Sequence, residues 1–275
     1  IPYIRGNLRS RKIEDITAEV RVLVERGVSE IILVAQDTTV YGRDIYGKPM
    51  IVELMEELAG IEGIEWLRLL YAYPEGVTDE LLDCMIKHDN IVKYIDIPIQ
   101  HLSDSVLKRM NRRNTNASTY AAVKRIRQAS PDFIIRTTLI TGFPGETEED
   151  FEILKKGVSE LKFDKLGVFA YSEEDGTPAC EMDGAVDEDV RKDRAEQIMM
   201  IQAPISEKLG ASHIGKTMKA IIESRLMNGY TGRTYVDAPD IDGTLFVKTD
   251  ENLTIGEYYD VKIVDADDYD LIGEI

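Results

Sequence analysis

The sequence predicts an α/β fold: a partial, open (β/α)6 barrel followed by a small antiparallel β-barrel. Three observations predict it. Short apolar strands alternate with helices from Ile13 to Leu209, the pattern of a parallel sheet with crossover helices. These strands end in hydrogen-bonding residues and run into helix starts, as in barrels whose sites gather at the strand C-termini. Beyond His213 the helices give way to short strands separated by turn residues.

YIDIPIQHLSD, Tyr94 to Asp104, shows the design most clearly. Ile95, Ile97 and Ile99 alternate with polar residues or proline, Gln100 and His101 follow the strand, and Ser103 is placed to N-cap the next helix. In order, the spacing predicts helices over 13–25, 51–59, 78–87, 105–110, 117–128 and 188–209. Strands are expected near residues 30, 66, 94, 133 and 166, and a sixth upstream of Ile1. Thr147 and Asp150 form a weak capping box, and Pro204 should kink or split the last helix. In the C-terminal part, strands are expected over 218–223, 231–236, 244–247 and 258–264, with a fifth over 270–275. The domains are therefore 1–211 and 212–275. IPYIRGNLRSR has no initiator Met and opens in mid-pattern, which predicts a segment of a longer protein.

Composition narrows the function. The 275 residues carry a net charge of −18, with 31% charged and 43% hydrophobic residues. Such an acidic balance disfavours nucleic acid as a partner and favours a basic one. No apolar run is long enough to span a bilayer, so no membrane association is expected. The two cysteines, Cys84 and Cys180, lack metal-like spacing and suit a reduced, cytoplasmic setting. No metal ligands are expected in this chain.

The strand ends collect Gln36 and Asp37, Tyr71 and Tyr73, Gln100 and His101, Arg136 with Thr138, and Tyr171 with Ser172. Together they predict a ligand site at one barrel mouth. His101 is open to three readings: a base, a metal ligand or a hydrogen-bonded core histidine. GFPGE, Gly142 to Glu146, is open to two: a tight turn, or a close approach of backbone to a flat ligand. It lacks the Lys-Ser/Thr of a phosphate loop. Arg5, Arg9 and Arg11 form a basic run suited to a carboxylate.

IPYIRGNLRSR, LVAQDTTVYG, DIPIQHLSDSVLKRMNR, RTTLITGFPGETEEDF and YSEEDGTPA, in that order, resemble the radical S-adenosylmethionine (SAM) methylthiotransferases. AQDTTVYG and DIPIQH place the resemblance with the RimO type, which adds a methylthio group to the β-carbon of an aspartate of small-subunit ribosomal protein S-twelve. The tRNA-modifying MiaB type shares the chemistry and is the alternative. A non-catalytic module that docks a ribosomal protein is a second one. The resemblance implies a TIM-like radical SAM core and a C-terminal TRAM domain. It also implies SAM, two 4Fe-4S clusters and an electron donor. A deoxyadenosyl radical takes hydrogen from the substrate, one cluster carries or supplies sulfur, and a further SAM supplies the methyl group. The cluster motif C-x-x-x-C-x-x-C is absent from this chain, which is therefore expected to be inactive alone. By strand position the resemblance implies SAM contacts at Gln36, Asp37, Gln100, His101, Arg136, Thr138, Phe169 and Tyr171, and substrate contacts at Arg5 and Arg9.

Overall fold

The structure, a computed structural model, describes residues 6–275. Five strands form an open sheet in the order β1-β2-β3-β4-β5: β1 Glu30–Leu33, β2 Trp66–Leu69, β3 Ile91–Asp96, β4 Ile134–Thr141 and β5 Lys165–Ala170. Helices connect them: α1 Ile13–Glu25, α2 Arg43–Tyr46, α3 Ile51–Ala59, α4 Asp79–Lys87, α5 Asp104–Arg109, α6 Asn116–Ala129, α7 Glu148–Leu161 and α8 Glu188–Ala211. This is the expected partial barrel. None of the helices is long and apolar enough to cross a membrane among the described residues.

The chain makes two compact units, residues 6–98 with 117–133, and residues 99–116 with 134–275. In the first unit β1 pairs with β2, and β2 with β3, all parallel. Leu67, Leu69, Ile91 and Ile95 meet Leu54, Met55, Leu58, Leu81, Leu82 and Met85 of α3 and α4 in a closed apolar core. Arg68 is fully buried between Leu67 and Leu69 in sequence. Its Nε donates to Glu30 Oε1 at 3.0 Å, and its guanidinium stacks 4.7 Å from the Tyr94 ring centroid. A lone buried guanidinium would cost several kcal/mol (~5), which the carboxylate and ring offset.

β3 starts three residues earlier than the alternation suggests and stops at Asp96. Pro98 has no N–H to give a ladder. Ile97 and Ile99 are nonetheless buried, as is Asp96, so the alternation does not separate a wet from a dry face.

In the second unit β4 and β5 run parallel with Arg136 opposite Lys165, Thr138 opposite Gly167 and Ile140 opposite Phe169. Two expectations about helices need correction. Ser103 is the N-cap residue of α5, but its hydroxyl makes no cap bond and goes to Asp150 instead. α8 is one helix through Pro204, so it is not split there. Thr147 does cap α7, in a complete capping box with Asp150.

The C-terminal strands close a barrel in the order β10-β8-β7-β6-β9: β6 Thr217–Leu226, β7 Gly229–Thr234, β8 Leu245–Lys248, β9 Tyr258–Ala266 and β10 Leu271–Glu274. Met218, Ala220, Ile222, Leu245, Val247, Val261 and Ile263 fill it. The pairing is antiparallel except where β10 meets β8, which is parallel.

Candidate functional site

In the first unit the strand ends are stitched to one another. The Thr38 N–H donates to Tyr71 O at 3.0 Å, and its hydroxyl to Leu70 O at 2.9 Å. Tyr71 sits at φ 58, and its N–H donates to the buried Asp96 carboxylate at 3.1 Å. A left-handed non-glycine residue held by a buried acid is a strained position fixed by its surroundings. Asp37 caps the following turn, accepting from the Thr39 N–H at 3.0 Å. Gln36 beside it is exposed. Arg9 is exposed too, next to Ser10, whose N–H donates to Asp44 at 2.7 Å. Arg5 lies outside the described residues.

The second unit holds a buried polar centre under the GFPGE turn. His101 is fully buried, and its Nδ1 accepts from the Ser103 N–H at 2.9 Å, which puts the ring proton on Nε2. Nε2 stands 3.4 Å from Glu146 Oε2, close but poorly aligned for a hydrogen bond. Glu146 Oε1 takes a 2.7 Å bond from Arg194 Nη1, and Oε2 takes one of 2.8 Å from the Gly142 N–H. Of the three readings of His101, this is the hydrogen-bonded core histidine.

Asp150 is the neighbouring acid. Burial alone would raise its carboxyl, but the hydroxyls of Ser103 and Ser105 and the Thr147 N–H and hydroxyl outweigh that and hold it at about 2. The turn glycines are cradles for arginine. Gly142 sits at φ +70, where a Cβ would come within 2.3 Å of Arg191 Cγ, and at Gly145 a Cβ would come within 2.5 Å of Arg109 Nε. The close approach at this turn is made by the protein's own side chains.

Further groups lie along β4 and β5 of the same unit. Gln100 sits at φ 69, its N–H donating to Thr138 O at 2.9 Å and its carbonyl accepting from Ile140 N–H at 2.8 Å. Thr138 and Phe169 thus stand one and two strands from Gln100, and the Phe169 side of the sheet is open, with that residue 61% exposed. Tyr171 follows β5. Its ring lies edge-on to Phe143, with centroids 5.2 Å apart, and 5.3 Å from the Arg191 guanidinium. Its hydroxyl is buried without a hydrogen-bond partner. Burial pushes the phenol up, with Cys180 and Glu173 adding to it.

Arg136 is not at a strand end. It is the third residue of β4, and its guanidinium meets Asp242 at 3.5 Å and the Thr138 hydroxyl at 3.3 Å. Beside it Lys165 pairs with Asp237, which is 1% exposed. Two of the three acids of VDAPDID therefore face the β4–β5 pair, and the third, Asp240, is exposed. Glu146, Asp150, Arg191, Arg194 and Asp242 were not singled out as site residues from the sequence. The Glu of GFPGE and the Arg191-x-x-Arg194 spacing, one turn apart on α8, were the available signals.

An open parallel sheet of strand–helix units is the architecture of a partial (β/α) barrel. Residues 1–156 match the family model of the radical SAM superfamily, more than half of the chain, and the chain belongs to that superfamily. Residues 214–275 match the TRAM domain model. The chain is 50% identical over 276 residues to the ribosomal protein uS12 (S-twelve) methylthiotransferase RimO of Clostridioides difficile strain 630, covering 100% of this chain and 62% of that protein. It is 51% identical over 279 residues to the protein of the same name from Alkaliphilus oremlandii strain OhILAs, covering 100% and 64%. The chain thus spans about three fifths of the length of these curated relatives. Coproporphyrinogen III oxidase (HemN) from Escherichia coli shares the fold with a TM-score of 0.50 at 19% identity, over 74% of this chain and 48% of that one.

The second unit's residues suit SAM. The orphaned Tyr171 hydroxyl and the open Phe169 ring offer a donor and a flat face to an adenosine group. An iron–sulfur cluster does not fit the thiols of this chain. Cys84 is buried, its thiol pushed up to about 11 by burial and then by Glu56, and Cys180 is exposed on a separate turn. No step is derived through a cluster held by these residues.

Proposed function

We propose that this chain is the SAM-binding core and TRAM domain, residues 1–211 and 212–275, of a cytoplasmic radical SAM methylthiotransferase. Its substrate is the β-carbon of an aspartate of ribosomal protein uS12. The observation that carries this reading is the identity of about half of all residues, over the whole chain, to the RimO proteins. When bound, SAM supplies the methyl group and, on reductive cleavage by an external electron donor, the oxidising fragment that activates the substrate carbon.

The resemblance and the groups present support these roles. Phe169 stacks on the adenine face, and Tyr171 donates its hydroxyl to the nucleoside. Gln100 and Thr138 bond the ribose hydroxyls. Arg136, steadied by Asp242, attracts the methionyl carboxylate. Gln36 meets the methionyl amine. Asp37, as a cap, and His101, through Glu146, act by holding neighbouring backbone. Arg5 and Arg9 attract the target aspartate. The exposed Asp265, Asp267 and Asp268 of the C-terminal barrel steer the basic uS12 toward the enzyme.

Calorimetric titration of the cluster-bearing protein with SAM tests the site. Phe169→Ala leaves an exposed position and should not disturb the fold. Loss of aromatic stacking of about 1–3 kcal/mol predicts roughly a fivefold to hundredfold weaker affinity. Unchanged affinity would remove Phe169 from the site.

A further inference from the structure

At the C-terminal end of α4 in the first unit, a carboxylate, a thiol and an imidazole come together. Cys84 lies on α4, and His88 is the residue that caps it, with its backbone extended at φ −108 and ψ 117 and its N–H donating to Cys84 O at 3.4 Å. Glu56 reaches them from α3. The donor atoms of the three residues lie within 4.8 Å of one another. Cys84 is 3% exposed and forms the floor. His88 forms the wall, with its Nε2 buried and without a hydrogen-bond partner. Glu56 Oε1, 4.0 Å from that nitrogen, is too far to bond it and sits on a side chain that is 43% exposed.

Packing between two helices accounts for a buried cysteine. It does not account for an imidazole nitrogen sealed from water beside a thiol and a carboxylate, because an unpaired buried polar atom costs free energy. We propose that Glu56, Cys84 and His88 bind one borderline-soft divalent transition-metal ion of the zinc class. Sulfur, nitrogen and oxygen donors together suit such an ion, where oxygen-only sites suit magnesium or calcium. Zinc-class bond lengths bring donor atoms to roughly 3.3–3.8 Å of one another. From within 4.8 Å the donor atoms must draw together by at most about 1.5 Å to reach those spacings. On binding, the Cys84 S–H bond breaks, its proton leaves to solvent, a sulfur–metal bond forms and no electron moves. Water takes the fourth position. Lys87, whose ammonium donates to Glu56 Oε1 at 2.8 Å, competes with the ion for the carboxylate. The bound ion would pin α3 to α4, and the inference is independent of the function proposed above.

Cobalt(II) is the probe, titrated anaerobically into the full chain. The expected result is a near-ultraviolet thiolate-to-cobalt charge-transfer band that saturates at one ion per chain and is abolished by added zinc. Cys84→Ser should remove the band. His88→Ala should weaken binding by at least about tenfold, Lys87→Ala should tighten it, and Cys180→Ser should leave it unchanged. His88→Ala replaces a partly exposed residue, so it keeps the test decisive where Cys84→Ser disturbs folding. Zinc should raise the thermal midpoint of the unaltered chain and leave that of His88→Ala unmoved. Absence of the band at millimolar cobalt, or a band that survives Cys84→Ser and vanishes in Cys180→Ser, would overturn the proposal.

Discussion

Replacing Glu146 with alanine is expected to cost about 3–5 kcal/mol of folding stability, because it removes one partner of a buried ion pair and leaves the other behind. The Glu146 carboxylate is fully buried and Arg194 is 8% exposed. The same carboxylate also accepts from the Gly142 N–H and faces His101. Its loss leaves a guanidinium and a backbone donor underserved at once. Glu148 holds the other Arg194 nitrogen at 3.1 Å but is 68% exposed, so it compensates little. Glu146→Gln keeps an acceptor for Gly142 and should lose less. Urea unfolding with a linear extrapolation reads both values. A loss under ~1 kcal/mol for Glu146→Ala would show that the centre does not hold the turn.

Asp237→Ala should be of similar size, about 3–5 kcal/mol, for the same reason. Lys165 is 15% exposed and Asp237 is 2% exposed in their side chains. Burial works to lower the Lys165 ammonium, and Asp237 outweighs it, leaving the group above its ordinary value. A raised folded-state value contributes stability that is complete below the unfolded value and is lost as pH rises through the folded one. The unaltered chain should therefore lose this contribution only in strong alkali. In Asp237→Ala only Asp242 and Asp164 remain to oppose burial, and the loss should move to lower pH. The double change Lys165→Met with Asp237→Ala should recover much of the stability, since no charge is then stranded. Denaturant midpoints across an alkaline pH series decide it. A double variant no more stable than Asp237→Ala would contradict the pairing.

These two networks also show where sequence reading stops. The helices over 51–59 and 79–87 were legible because Leu54, Met55, Leu58, Leu81, Leu82 and Met85 repeat at helical spacing and are all buried. The β4 and β5 strands were legible from their apolar runs. The inward stripe of α8 was not, because it is Arg191, Arg194, Ile198, Gln202 and Ser206. Its polar groups are satisfied inside the fold, as when Gln202 donates to Phe163 O at 2.8 Å and to the Ser206 hydroxyl at 2.9 Å. A hydropathy pattern assigns such residues to solvent.

VDAPDID hides its pairing for the same reason: Asp237 and Asp242 face Lys165 and Arg136. Charge pairing between residues about seventy to a hundred apart leaves no local periodicity to detect. The resemblance in ordered motifs implies Gln100, Thr138 and Phe169; Gln100 bonds the backbone of Thr138 and Ile140, and Phe169 stands opposite Ile140. It offered no means of separating residues that face outward from those, such as His101, that sit beneath. Cys84-x-x-x-His88 carried a local signal, but its third donor, Glu56, arrives from another helix.

Membership in an enzyme that modifies uS12 is read most directly by incubating the cluster-bearing protein with uS12, SAM and a reductant, then sequencing the product by tandem mass spectrometry. A tRNA anticodon arm serves as the parallel substrate. The expected result is a methylthio group on one aspartate of uS12 and an unmodified anticodon arm. Methylthiolation of the RNA with uS12 left unchanged would contradict it.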